Sequence, residues 1–492
     1  VTVLTKEKVE QVRRAPTSDN KAKYAQYFTP AEVAEYMVGM FADSSSLQAS
    51  VLDPGAGEGI LGLALASRLS QGGTETATTF IEIDECVFDT LKKKALKDTF
   101  ACSTKSINGD FIKESARLLQ SGERFTHVIM NPPYFKLQRN SNTSHYLMSC
   151  GINVTNIYAA FIWLGLLLLQ DKGQLVAIVP RSFCNGPYFL KFREFISQSA
   201  SIESIHTFSS RDKVFSRDKV LQENVIIHLA KKPQSKSVRV TYSSDQSFND
   251  VEEAIFPANQ IVGHRDSGIT ISIPAYASMV NLRDYAGCSL FDVNLEVSTG
   301  PVVDFRLKSQ IKKVSGQGSV PLLYPAHMKD GQISWPLNNL PKKGEHYYPQ
   351  AGFFDSLDSV GLADKCVSPS GGHYVAVRRF SSREEKRRIY AVVVDTADFA
   401  GGVAFENHLN YFHRGKRGFD ADLAYGLSAY LNSSVLDEHF RSFSGHTQVN
   451  ATDLRNIPYP SEDQLRRIGR VVLGRPAPID SVVTPDLLKD CA

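Results

Sequence analysis

The segment Asn131-Pro132-Pro133-Tyr134 follows directly on the apolar run "HVIM" at 127–130. Two consecutive prolines end a strand, fix the backbone and remove two amide donors. The groups left at that point are the Asn131 side-chain oxygen and the Pro132 carbonyl, and both can converge on one position. Two acceptors without a donor suit an amine carrying two hydrogens, whose lone pair is then aimed at an electrophilic methyl group. Tyr134 adds a flat ring on which a planar base can stack. A proline-stiffened turn with a capping Asn would use the same residues, so the neighbouring elements must decide.

Upstream, "VLDPGAGEGIL" at 51–61 sets Gly55, Gly57 and Gly59 between a predicted strand and a predicted helix. Glycines let backbone approach a ligand where a Cβ would clash, and the helix N-terminus points amides into the same space. A lone G-x-G describes a plain tight connection equally well. The next strand ends in "IEIDE", which puts Glu82 23 residues beyond Gly59, close to the spacing of a ribose-binding acid. The strand after it ends in "NGDFI", where Asp110 can bond an adenine amine and Phe111 can cover its ring. Each acid alone reads as a solvated surface group. At the ends of successive strands they outline a nucleoside crevice of the kind open α/β sheets carry. Glycines and acids leave NAD and S-adenosylmethionine both open.

These residues need a sheet to hold them. Strands are predicted at 50–54, 78–84, 103–109, 127–131, 174–180 and 223–230, with helices at 59–70, 85–97, 112–120, 154–170 and 187–199. Such alternation gives an α/β fold: a Rossmann-like, mostly parallel sheet covered on both faces, with an antiparallel last strand. After residue 240 the alternation stops, and 492 residues are too many for one ordinary core. The expected organisation is therefore one domain at 1–240 and a separate C-terminal α+β domain at 241–492. "KKPQSKS" (231–237) is expected as the linker or turn near that boundary.

With 42% hydrophobic and 22% charged residues the chain has a globular composition, and its net charge of +3 is too small to name a partner. Seven scattered cysteines without a C-x-x-C pair fit free thiols in a reducing compartment. Residues 1–30 are mostly polar, and the longest apolar run, at 157–169, has 13 residues, too few to span a bilayer. The expected setting is the cytoplasm, with no membrane partner. None of the twelve histidines forms a metal-binding spacing, so no metal is expected.

The strings "QYFTPAEVAEYM" (26–37), "DPGAGEGIL", "FIEID", "NGDF", "NPPYFKL" and "FSRDKVLQENVIIHL" (215–229) stand in one order. In that order the chain resembles the γ-type DNA adenine-N6 methyltransferases. The resemblance implies that residues 1–240 form the S-adenosylmethionine-dependent catalytic domain and 241–492 the target-recognition domain for double-stranded DNA. It implies that Thr29 and Pro30 close over the methionine part of the cofactor and that Asp53, Gly55, Gly57 and Gly59 lie against it. Glu82 would hold the ribose hydroxyls, and Asp110 with Phe111 the adenine. Asn131 and Pro132, stiffened by Pro133, would bind the target amine, while Tyr134 and Phe215 sandwich a flipped adenine.

The C-terminal strings "VSTGPVVDFR" (297–306), "LLYPAHM" (322–328), "RRFSSREEKRRIYA" (378–391), "ENHLNYFH" (406–413) and "SGHTQVNATDLRNIPYPS" (444–461) resemble the PstI/BsuBI group of type II restriction–modification methyltransferases. That implies a cognate restriction endonuclease as partner and CTGCAG as recognition sequence. It leaves monomer or dimer open.

Six of the eleven residues from Arg378 to Arg388 are Lys or Arg, and "HRGKR" (413–417) adds three more. Next to a base-modifying site, Arg378, Arg379, Arg387, Arg388, Lys416 and Arg417 are expected on DNA phosphates. His446, Gln448 and Asn450 cluster on a predicted loop and carry side chains that read base edges. The plain alternatives are a solvated charged face and a polar turn ahead of "ATDLRNIP". Three other functions use the same catalytic string or fold: methylation of RNA adenine, methylation of a protein glutamine, and a non-catalytic DNA-binding module.

Overall fold

The computed structural model describes residues 29–43, 46–97, 103–138, 140–208, 224–265, 268–274, 282, 286–307, 311–312, 319–337, 353–355, 363–382, 385–397, 399, 401–444, 447–474 and 478–484. Phe215 and His446 lie outside them. The chain divides into two compact units, Val1–Ile273 and Pro274–Ala492.

The first unit is built on β1 (Gln48–Pro54), β2 (Glu75–Glu82), β3 (Ser103–Asn108), β4 (Phe125–Met130), β5 (Leu169–Pro180), β6 (Ser201–Phe208), β7 (Asn224–Ala230), β8 (Ser237–Ser243) and β9 (Glu252–Pro257). They form one nine-stranded sheet in the order β3-β2-β1-β4-β5-β7-β6-β8-β9. β1 to β5 run parallel, whereas β7 is antiparallel to both β5 and β6. Strand order reverses between β1 and β4, so the loops leaving these neighbours diverge and open a crevice at their carboxyl ends.

Helices α1 (Ala31–Gly39), α2 (Ile60–Gln71), α3 (Glu85–Ala95), α4 (Phe111–Gln120), α5 (Asn142–Ser149), α6 (Ile157–Leu168) and α7 (Leu190–Ser199) surround the sheet. β4 shows how both faces are covered. Ile129 packs with Val33 and Met37 of α1 and Leu65 of α2, while Val128 and Met130 pack with the α4, α6 and α7 side. Alternate residues serve opposite cores, which is why the strand reads as a continuous apolar run. Among the described residues no helix is long and apolar enough to cross a membrane.

Two expectations change here. β6, "SIESIHTF", is not among the predicted strands, because Ser, Glu, His and Thr interrupt its apolar residues. The fold buries it by satisfying the polar groups: His206 lies 2.9 Å from Thr241 Oγ1 and 3.0 Å from Ser243 Oγ, both on β8. β8 pairs parallel with β6, and β9 antiparallel with β8. Residues 231–237 are consequently a short connection inside one sheet, and the division between units falls after Ile273, later than residue 240.

The strands of the second unit include β10 (Glu296–Thr299), β11 (Ser319–Leu323), β12 (His373–Arg378), β13 (Ala391–Asp395), β14 (Val403–Phe405) and β15 (Leu409–His413). Four of them form an antiparallel sheet in the order β10-β15-β12-β13. β11 and β14 pair in parallel in a second sheet. The unit also carries helices α8 (Ala421–Leu431), α9 (Ser434–Phe443), α10 (Ala451–Asn456) and α11 (Glu462–Gly474). Leu427, Tyr430 and Phe440 of the helices share a core with Val375, Val377 and Phe412 of the sheet.

Candidate active site

β1 delivers the buried Asp53 to the start of the glycine turn. Asp53 Oδ2 accepts the Gly62 N–H of α2 at 2.8 Å, while Oδ1 is buried with no hydrogen-bond partner among the described residues. Burial pushes this carboxyl up to about 7, against the Gly62 bond and with help from nearby Glu82. Gly57 and Gly59 adopt φ of +56° and +82°, and a Cβ on Gly59 would come within 2.5 Å of Leu91 Cδ1. The turn therefore requires glycine twice over, for conformation and for space.

Glu82, at the end of β2, ties this turn down. Its Oε2 accepts the Gly57 N–H at 2.8 Å and its Oε1 accepts the Asp84 N–H at 2.8 Å. Burial raises its pKa, and the two amides oppose that rise.

A cavity of about 310 Å³ opens beside the turn, lined by Gly55, Ile81, Ile83, Asp110, Phe111, Pro133 and Phe161 among others. That volume is at the lower end of small-molecule sites. Asp110 caps α4 by accepting the Ile112 N–H at 3.0 Å. Phe111 is buried against Phe161, with ring centroids 4.8 Å apart. Ile83 stays 47% exposed although it is large and apolar. Neither Ile83 nor Phe161 is expected in the site from the sequence. Ile83 carries a faint signal, an apolar residue between two acids at a strand end, whereas Phe161 is hidden in the apolar run of α6.

Pro133 stands in the wall of the same cavity, so the Asn-Pro-Pro-Tyr segment and the glycine turn converge on one space. Asn131 Nδ2 donates to Thr29 Oγ1 at 3.1 Å. The Tyr134 hydroxyl faces two acceptors, Asn131 Oδ1 at 2.8 Å and the Ile178 carbonyl of β5 at 2.9 Å. Thr29 is buried and Pro30 caps α1, so the Thr-Pro segment is anchored onto the end of β4.

Residues 62–215 match the Eco57I restriction-modification methylase family. The chain is 40% identical to the type II methyltransferase M.BsuBI of Bacillus subtilis over 472 residues, 93% of this chain and 92% of that protein. It is 36% identical to M.PstI of Providencia stuartii over 486 residues, 94% of this chain and 93% of that protein. The chain belongs to the type II methyltransferases. Among solved structures, the type IIG restriction endonuclease BpuSI aligns over 94% of this chain and 65% of its own, with 13% identity and a TM-score of 0.44.

The cofactor of this type II methyltransferase is S-adenosylmethionine, and the residues present fit it. The unpartnered Asp53 Oδ1, the positive-φ glycines and a cavity walled by Ile81, Ile83, Phe111 and Phe161 with the Asp110 carboxylate at its edge suit a nucleoside. Thr29, Asp53, Gly55, Gly57, Glu82, Asp110 and Phe111 are the residues that could hold it.

The expected DNA contacts fare unevenly. Arg388 is a correction: its side chain is fully buried, with Nε donating to Ser381 Oγ at 3.1 Å and a terminal nitrogen to the Ser444 carbonyl at 3.2 Å. A guanidinium enclosed in the core cannot meet a phosphate. Arg378 pairs with Glu385 at 3.3 Å, Arg387 with Asp480 at 2.7 Å, and Arg379 donates to the Asn407 carbonyl at 2.6 Å. Asn450 caps α10, its backbone N–H donating to Asp453 Oδ2 at 3.0 Å. Gln448 is half-buried, opposite Phe380 in a β-bridge. Lys416 and Arg417 are exposed in the turn after β15.

Proposed function

We propose that the protein methylates the N6 amine of an adenine extruded from double-stranded DNA, as the modification enzyme of a restriction–modification system. One observation carries this reading: Pro133, inside Asn-Pro-Pro-Tyr, walls the cavity opened by the glycine turn, so the amine acceptors lie beside the cofactor's place. Relatives that are type II methyltransferases along nearly the whole chain support the restriction–modification setting.

Bound S-adenosylmethionine supplies a methyl group on a sulfonium, an electrophile for in-line displacement. Asn131 Oδ1 and the Pro132 carbonyl accept the two amine hydrogens and draw the nitrogen lone pair out of conjugation. Thr29 fixes the Asn131 amide by accepting from Nδ2, so that Oδ1 is the atom turned to the substrate. The Tyr134 hydroxyl gives up Asn131 when the amine arrives and keeps the Ile178 carbonyl. No general base is needed before attack, because the proton leaves after the methyl is transferred.

Glu82 holds the ribose hydroxyls while bracing the glycine turn, and Asp110 with Phe111 receives the cofactor's adenine. Thr29 with Pro30 closes over its methionine part. Tyr134 stacks on the extruded base, with Phe215 on its other side. Extrusion costs a few kcal/mol, and stacking of ~1–3 kcal/mol per ring offsets it. Lys416 and Arg417 grip phosphates.

Transfer of tritium from labelled cofactor to duplex DNA, followed by digestion to nucleosides, tests the reading. Label is expected in N6-methyl-2′-deoxyadenosine. Label on cytosine, on RNA or on protein in its place, or none, overturns it.

A further inference from the structure

We propose that the second unit reads base edges in the DNA major groove through a ridge of His408, Phe380 and Gln448, with His408 fixed by Glu406. The inference rests on the DNA-methyltransferase reading above and names the residues that would set its site specificity.

The ridge begins at a buried carboxyl group. Glu406 is fully enclosed, and a carboxylate in that position needs donors. Both come from His408: its backbone N–H reaches Glu406 Oε2 at 2.9 Å, and its Nδ1 lies 2.6 Å from Glu406 Oε1. One ring nitrogen is thereby committed and the imidazole plane is set, yet the side chain remains 45% exposed. The other nitrogen is held in a fixed direction instead of sampling rotamers. Fixing a polar reader before binding removes an entropic cost that a free surface histidine would incur.

Beside it stands a large ring that burial did not claim. Phe380 is 44% exposed, its centroid 5.3 Å from that of His408. Gln448 lies across an antiparallel bridge from Phe380. The Val449 N–H donates to the Arg379 carbonyl at 2.7 Å and the Ser381 N–H to the Thr447 carbonyl at 3.0 Å. The Arg379 N–H donates to the His408 carbonyl at 3.0 Å. Backbone bonds thus lock three segments, distant in sequence, into one surface. An imidazole and an amide are base-edge readers, and a phenyl ring is a partner for the thymine methyl group.

The loop that adjoins the ridge carries an exposed cation. Arg306 is exposed, 5.5 Å from the centroid of the Phe305 ring. Its loop joins the Glu406 turn through the Val302 N–H to the Phe405 carbonyl at 3.2 Å and the Asn407 N–H to the Val302 carbonyl at 2.9 Å. Readers on the ridge and a guanidinium on the adjoining loop suit a groove floor bordered by phosphates.

The test uses the full chain. Wild type, Gln448→Ala, Phe380→Ala and His408→Ala are compared by single-turnover methylation of the wild-type duplex site. Long-read mapping of methylated adenines in a random-sequence library reports context, and the urea midpoint of the full chain, followed by a probe in the second unit, serves as the folding control. Gln448→Ala and Phe380→Ala are expected to slow methylation of the wild-type site about five- to a hundredfold. Both should also admit sites that differ by one base pair, with cofactor affinity unchanged. His408→Ala strands Glu406, so if its urea midpoint collapses the other two variants decide. Wild-type rate and context in both of those overturn the ridge while the methyltransferase reading stands. If the wild type methylates no DNA, that reading falls and this inference with it.

Discussion

The Tyr134 hydroxyl sits between two acceptors, 2.8 Å from Asn131 Oδ1 and 2.9 Å from the Ile178 carbonyl of the next strand. One proton cannot serve both fully, so the amide oxygen needed for the target amine is only partly engaged. The hydroxyl has somewhere else to go when that amine enters. On the proposed function, Tyr134 is thus both a ring for the base and a placeholder at the amine site.

These two roles separate by substitution. Tyr134→Phe keeps the ring and removes the competitor for Asn131, so single-turnover methylation is expected within about fivefold of wild type. Tyr134→Ala removes the stacking surface and is expected to slow capture of duplex substrate about ten- to a hundredfold, the kinetic equivalent of ~1–3 kcal/mol. Equal damage from both variants would show that the hydroxyl, not the ring, carries the role.

The Thr29–Asn131 bond at 3.1 Å makes a second prediction. Asn131→Ala deletes an acceptor that acts on charge developing in the transition state, and transfer should fall about 10²-fold or more. Cofactor binding by calorimetry should survive, because the glycine turn and Glu82 are untouched. Thr29→Val only frees the amide to rotate, at a cost near that of one hydrogen bond, about 1 kcal/mol. A loss of roughly fivefold in kcat is expected there from the freed amide alone.

How much of this is legible in the sequence depends on whether the residue type has one physical use. Gly57 and Gly59 need positive φ, consecutive prolines must end a strand, and Asp110 at a strand end opens a helix, so these can be placed from order alone. Ile83 and Phe161 cannot, because apolar side chains around a ligand look like core. β6 is hidden for the opposite reason: its polar residues are buried with partners on a strand that follows it in sequence. The basic run from Arg378 misleads at Arg388, since composition does not say which guanidinium faces inward.

Acid sensitivity follows from the buried histidines of the first unit. Burial depresses His206 to about 3 and both His127 and His228 to about 4, below the ordinary 6.5. Groups held neutral in the fold contribute stability that is present above pH 6.5 and lost as pH falls toward 4. At pH 4.5 that is roughly 2 kcal/mol apiece. Asp53 acts in reverse: raised from 3.8 to about 7, its contribution is complete at low pH and lost as pH rises through 7. Glu82, which burial also raises, acts the same way as Asp53; three histidines against two carboxyls set the sign, and the urea midpoint should drop between pH 7 and 4.5. His206→Asn should flatten that slope, and a midpoint that rises on acidification would refute the assignment.

Charge in the second unit divides into a buried set and an exposed set, and salt tests whether the exposed one meets DNA. Arg388 is enclosed among Ser381, Ser444 and the face of Phe440, 5.7 Å from its centroid. Arg388→Ala leaves those carbonyl and hydroxyl groups buried without their donor, and a loss of about 3 kcal/mol in stability is expected. Lys416 and Arg417 are exposed on a turn closed by backbone bonds between Arg414 and Arg417, so removing their charges should leave the urea midpoint alone. The double variant Lys416→Ala, Arg417→Ala should weaken duplex binding evenly across sequences. It should also reduce the slope of log affinity against log salt by about two, one for each phosphate no longer neutralised. An unchanged slope would remove this turn from the DNA interface, whatever happens to affinity.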